Sequence, residues 1–157
     1  MRTTHSRPSL ALARVAVGAL IMSAVVGCGT DGDTEPGDDR PVAELTFVLT
    51  HPDHPTIEYQ LTCGTNGPSI TGGEAAVDAA AACQALTDEA VLDRLVLGEP
   101  PGRVCAEVFG GPDVASISGV IDETPVATIV DRTDACMIED WDELLVDLLP
   151  PPRGEVG

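Results

Sequence analysis

Five cysteines constrain this chain more than any other feature. The first, Cys28, closes an apolar run. The other four, Cys63, Cys83, Cys105 and Cys136, lie in a stretch nearly empty of large side chains, with Phe47, Tyr59, Phe109 and Trp141 as its only aromatic residues. A chain of 157 residues leaves room for one domain once its non-structural segments are set aside. A small domain with so few bulky groups buries little apolar area per residue and needs covalent reinforcement. Four cysteines supply it as two disulfides, and their number alone leaves three pairings open.

Residues 1–27 have the layout of a secretory signal. Arg2, Arg7 and Arg14 make the positive start, and Val15 to Val26 is uncharged, apolar and too short for a comfortable membrane span. The run ends Val25-Val26-Gly27-Cys28, which resembles a bacterial lipobox. That motif implies lipidation of Cys28 and export, to the outer face of the cell membrane or beyond it. Acyl chains contribute about 0.8 kcal/mol per buried CH₂, and more than one gives a lasting anchor. Residues 28–41 are acidic, Gly-rich and poor in apolar side chains, so they are expected to form a flexible, self-repelling tether.

Beyond Cys28 five arginines stand against 26 acidic residues, a formal charge of −21, and the chain has no lysine. Such a surface repels phosphate backbones, which excludes nucleic acid as a partner.

The folded domain is expected over residues 42–150. Leu45, Phe47 and Leu49 alternate with polar residues, as do Ile57, Tyr59 and Leu61, giving two half-buried strands joined by a turn at His51-Pro52-Asp53-His54-Pro55. Cys63 to Pro68 reads as a loop. Thr71-Gly72-Gly73-Glu74 reads as a capping box, opening a helix with Ala76, Ala79, Ala80, Cys83 and Leu86 on one face. A weaker helical turn covers Glu89 to Leu95. Two more strands, Val114 to Ile121 and Pro125 to Asp131, flank a hairpin loop at Asp122-Glu123-Thr124. Asp140-Trp141-Asp142-Glu143 reads as a second capping box, for a short helix carrying Trp141, Leu144, Leu145 and Leu148. Pro150-Pro151-Pro152 stops it, and 151–157 is expected to be a disordered tail. Strands, helix, then strands without long crossovers indicate an antiparallel α+β sandwich.

Four segments carry the cysteines and their neighbours: Leu61-Thr62-Cys63 followed by Ala82-Cys83-Gln84-Ala85-Leu86; Cys105-Ala106-Glu107-Val108-Phe109 with Pro112-Asp113-Val114; Ser118-Gly119-Val120; and Ala135-Cys136-Met137. In this order and spacing they resemble the actinobacterial subtilisin-inhibitor-like family, the second being similar to its reactive segment. The resemblance covers roughly Leu45 to Met137. It implies a five-stranded antiparallel sheet with two helices on one face, the pairings Cys63–Cys83 and Cys105–Cys136, and a homodimer. Each bridge would close a loop of about 20 to 30 residues, worth on the order of 3–4 kcal/mol.

The function implied is inhibition of serine endopeptidases, subtilisin-like or glutamate-preferring, by a loop that enters the protease cleft like a substrate strand. Glu107–Val108 would be the scissile bond, within a reactive loop of Cys105, Ala106, Phe109, Gly110, Gly111 and Pro112. Burying the Glu107 carboxylate in an apolar pocket costs several kcal/mol, so either the target proteases prefer glutamate or inhibition of ordinary subtilisins is expected to be poor. Two adjacent glycines, Gly110 and Gly111, are expected to loosen the loop. The alternative is a non-inhibitory surface binding lipoprotein with the same fold and a decayed loop.

An enzyme is not expected. Beyond Cys28 the serines are Ser69, Ser116 and Ser118, none in a Gly-x-Ser-x-Gly elbow, and cysteines spent in bridges are not nucleophiles. His51, Asp53 and His54 are metal-ligand types, but their prolines suit a turn. No metal or other cofactor is expected.

Overall fold

Alternating burial builds the sheet. The computed structural model describes residues 41–154 apart from Ala75; the expected signal segment, Cys28, the expected tether through Arg40 and the last three residues lie outside the described residues. Strands β1 (Ala43–His51), β2 (His54–Cys63) and β3 (Ser69–Gly72) come first, then helices α1 (Ala79–Ala85) and α2 (Glu89–Val96). Strands β4 (Val114–Ile121) and β5 (Thr124–Val130) follow, and the chain closes with α3 (Ala135–Glu139) and a wider helical turn over Asp140–Leu144. The five strands form one antiparallel sheet in the order β3-β2-β1-β4-β5. The α+β class, the strand number and both expected disulfides are therefore present, with three helices where two were expected.

One face of the sheet makes the core. Phe47 pairs with Tyr59 on one side and Ile117 on the other, and the same register sets Leu45, Leu49, Leu61, Ala115, Val126 and Val130 on that face, all buried. Helix residues Ala82, Cys83, Leu86, Val91 and Leu95 join the same cluster, as do Trp141, Leu145 and Leu148. Glu44, Glu58, Gln60, Ser116 and Ser118 lie on the opposite face, exposed, the pattern of an antiparallel sheet covered on one side. Phe47 and Tyr59 stack with ring centres 4.7 Å apart. The Tyr59 hydroxyl donates to the Leu148 carbonyl, and Trp141 Nε1 donates to the Pro150 carbonyl at 3.0 Å.

The β4–β5 hairpin turns on Asp122 and Glu123, both at positive φ (46° and 67°), the two-residue turn whose twist matches its strands. Within β4, Gly119 sits at φ +144°, where a Cβ would lie 2.0 Å from the Glu44 carbonyl oxygen of β1; only glycine lets the two strands approach there.

Four local readings give way to longer-range ones. Thr71 and Gly72 do not cap a helix; they form β3, with Thr71 opposite Gln60 and Gly72 opposite Tyr59. Pairing with the free edge of β2 satisfies a whole row of backbone groups, which outweighs one capping bond. Helix α1 starts later, where Asp78 accepts from the Ala81 amide at 2.8 Å, so Ala76 precedes it and Ala80 is exposed. The second capping box also fails. Helix α3 starts at Ala135, capped by Asp134 accepting from the Met137 amide, and Asp140 is buried in a bridge to two arginines. The tail is held through Gly154: Arg153 donates to Asp113 from its amide and Nε, both at 3.0 Å, and to the Pro55 carbonyl at 2.7 Å. The weak turn at Glu89 is a full helix, capped by Asp88.

Candidate functional site

Between α2 and β4 the chain runs from Leu97 to Asp113 without regular structure. Its middle is fixed at both ends and free at the crest. On the incoming side Cys105 is bridged to Cys136, and the Ala106 carbonyl accepts from the Ala135 amide at 3.0 Å. On the outgoing side the Gly110 amide donates to the Arg132 carbonyl at 2.8 Å, and the Gly110 carbonyl accepts from Arg132 Nε at 3.2 Å. Glu107, Val108 and Phe109 lie between these anchors, exposed, with no hydrogen bond among the described residues. The expected scissile pair thus sits on a three-residue crest.

Both anchors belong to one short seat, Arg132 to Cys136. The Asp131 carboxylate shapes it by accepting from the Thr133 amide at 2.9 Å and its hydroxyl at 2.7 Å, and the Asp134 cap fixes its far end. The two glycines do not loosen the outgoing side as expected. Gly110 is bonded through both backbone groups, and a Cβ on it would meet Ile138 at 2.7 Å and Arg132 Nη2 at 3.3 Å. Gly111 is buried, with the Gly154 carbonyl packed over it. Glycine is used here for close approach. Pro112 is half-buried behind them.

Arginines brace this seat. Arg132 forks onto Asp142 at 2.6 and 3.0 Å and lies 5.9 Å from the centre of the Trp141 ring. Arg103, two residues before the bridged Cys105, donates to Asp140 at 2.7 Å and to Glu139 at 2.9 Å. Its hydrogen bond to Asp140 raises its pKa above the ordinary arginine value, against the opposing effect of burial. The second oxygen of Asp140 accepts from Arg94, which also donates to the Thr128 hydroxyl and the Ile129 carbonyl on β5.

The sequence reading singled out none of these arginines. The signal was present all the same: where acidic residues outnumber cations several-fold, each cation has carboxylates to choose from. All four arginines of the described domain, Arg94, Arg103, Arg132 and Arg153, hold an ion pair.

Apolar exposure gathers on the same loop. Three of the four aromatic residues are in the core; Phe109 is 58% exposed, beside Val108 at 48%, and Val104 upstream is 96% exposed. The crest carries apolar surface directly after its acidic residue, Glu107.

Among the described residues one group of metal-ligand types lies close together, Cys105, Asp134 and Cys136, and it does not include the histidines. The His51 ring Nδ1 accepts from the Asp53 amide at 3.0 Å, which closes the turn. Cys105 and Cys136 lie near the Asp134 carboxylate, but the two sulfurs are bonded to each other and are not thiolate ligands. Comparison of the chain with family models, with curated proteins and with solved structures finds no match.

Proposed function

We propose that this chain is a membrane-tethered, extracellular inhibitor of serine endopeptidases, of the subtilisin-inhibitor-like kind, with Glu107–Val108 as the bond offered to the protease. The observation that carries the reading is the crest of three unbonded, exposed residues between two backbone anchors and a disulfide. A protease binds its substrate as an extended strand, so a loop already fixed at both ends loses less ordering entropy on binding than a free one. If the bond is cut, the Cys105–Cys136 bridge and the Gly110–Arg132 bonds keep both new ends in place, which favours re-formation over release. Glu107 then sets the choice of protease: a pocket with a cationic or hydrogen-bonding floor accepts its carboxylate, and a purely apolar one does not. Lipidation at Cys28 would hold the inhibitor near proteases at the cell surface, where a high effective concentration supplements modest affinity.

The test is a titration of the chain from Gly29 to Gly157, both disulfides intact, against subtilisin and a glutamate-preferring serine protease. Residual activity and cleavage products are followed together. Tight inhibition with any nick confined to Glu107–Val108 is the expected result. Rapid digestion of the loop, or no interaction with either protease, overturns the reading in favour of a non-inhibitory surface binding module.

A further inference from the structure

We infer that the turn Asp140–Leu144 is a clamp that keeps the crest in order, with Asp140 holding its incoming side through Arg103 and Asp142 holding its outgoing side through Arg132. Residues two apart on a helical turn point to different sides. Asp140 points inward, 2% exposed, while Asp142 is 40% exposed. One short segment thereby reaches arginines on both flanks of the loop.

The outgoing side depends on the clamp more heavily. Cys105 has its disulfide, and Ala106 a backbone bond of its own. Among the described residues Gly110 hydrogen-bonds only to Arg132, through the peptide carbonyl and through Nε. The bidentate fork onto Asp142 fixes the plane of the guanidinium, and that plane aims Nε at the Gly110 carbonyl. A lysine in place of Arg132 would keep the charge and lose this aim. On the incoming side Arg103 reaches Asp140, which Arg94 ties to Thr128 on β5, so that flank is coupled to the edge of the sheet. Arg103, Arg132, Asp140 and Asp142 are positioning residues; they touch no protease group in this scheme.

What the clamp would do for function rests on the inhibitor reading: with the outgoing side loose, the end released by a cut would drift, and the inhibitor would behave as a substrate. Its effect on loop order does not depend on that reading. The experiment is amide hydrogen exchange at Gly110 and Ala135, with Phe47 and Ile117 in the sheet as internal references, in the Arg132→Lys and Asp142→Ala variants of the intact chain.

Both variants are expected to raise exchange at Gly110 by about tenfold or more relative to the sheet amides of the same variant, which carry any loss of global stability from unpairing the buried Arg132. Unchanged exchange at Gly110 in Asp142→Ala overturns the clamp. If Arg132→Lys fails to fold, Asp142→Ala decides alone, because its side chain is partly exposed. In protease assays the same variants should show a rise of about tenfold in loop cleavage relative to inhibition. A wild-type chain that no protease recognises removes the inhibitor reading and leaves the exchange result to judge the clamp.

Discussion

Arg94 and Asp140, 46 residues apart in sequence, meet at 2.7 Å with side chains only 3% and 2% exposed. Asp140 also accepts from Arg103, and Arg94 also donates to Thr128, so no charged atom of the pair is left to the apolar core alone. Removing one partner of such a pair costs about 3–5 kcal/mol, because the other remains buried and charged. Arg94→Leu or Asp140→Ala is expected to lose that much in denaturant unfolding. A loss below about 1 kcal/mol would show that the site relaxes and admits water, contrary to the packing described.

The two disulfides should separate stability from function. Replacing either pair with alanine is expected to cost on the order of 3–4 kcal/mol, slightly more for the bridge spanning 31 residues than for the one spanning 20. Only loss of Cys105–Cys136 should expose residues 107–109 to rapid cleavage. Equal cleavage in both variants, at matched stability, would remove the bridge beside the crest from the account.

Gly110→Ala adds a methyl group where Ile138 and Arg132 already stand. The Ile138 side chain can turn, so the stability cost should stay at about 1 kcal/mol. The loop must lift, however, and cleavage at the crest should rise. Mass spectrometry of timed digests reads this directly; an unchanged digest means the loop tolerates the added group in place.

Burial raises the Tyr59 pKa well above the ordinary phenol value, by desolvation. The unfolded tyrosine loses its proton at about pH 10, while the folded one keeps it. Above that pH the folded state binds more protons than the unfolded, so stability falls as pH rises, and it is fully present below. Tyr59→Phe should flatten this alkaline limb. At neutral pH it should cost about 1 kcal/mol for the bond to the Leu148 carbonyl. An alkaline limb unchanged in the variant would assign the loss to another group.

Exchanging the crest carboxylate for an apolar side chain, Glu107→Met, should improve inhibition of subtilisin by about a hundredfold and weaken inhibition of a glutamate-preferring protease. The ratio of the two inhibition constants is the measurement. Parallel changes would mean that residue 107 does not enter the specificity pocket.

The strands β1 and β2 were legible because each alternates apolar and polar residues, β4 and β5 because they are rich in β-branched ones, and β4 has the bounds expected of it. β3 was not, since Ser69–Gly72 is too short and too polar to announce itself without β2 beside it. Both capping-box readings failed for one reason: the local Thr or Asp was claimed by a partner outside its own turn. Thr71 went to a strand and Asp140 to arginines 37 and 46 residues away. The cysteine pairing came from the resemblance and agrees with the structure, whereas the supports of the loop came only from three-dimensional neighbours.

The register of β1 carries one more implication. The chain enters the sheet at Ala43, which pairs with Ile121, whereas the loop segment joins it at Val114, opposite Thr50. Entry point and loop therefore lie at opposite ends of the central strand, roughly 23 Å apart at about 3.3 Å per residue. Attachment at the Ala43 end leaves the loop end of the sheet uncovered, and a macromolecule seated on the loop leaves the entering chain free.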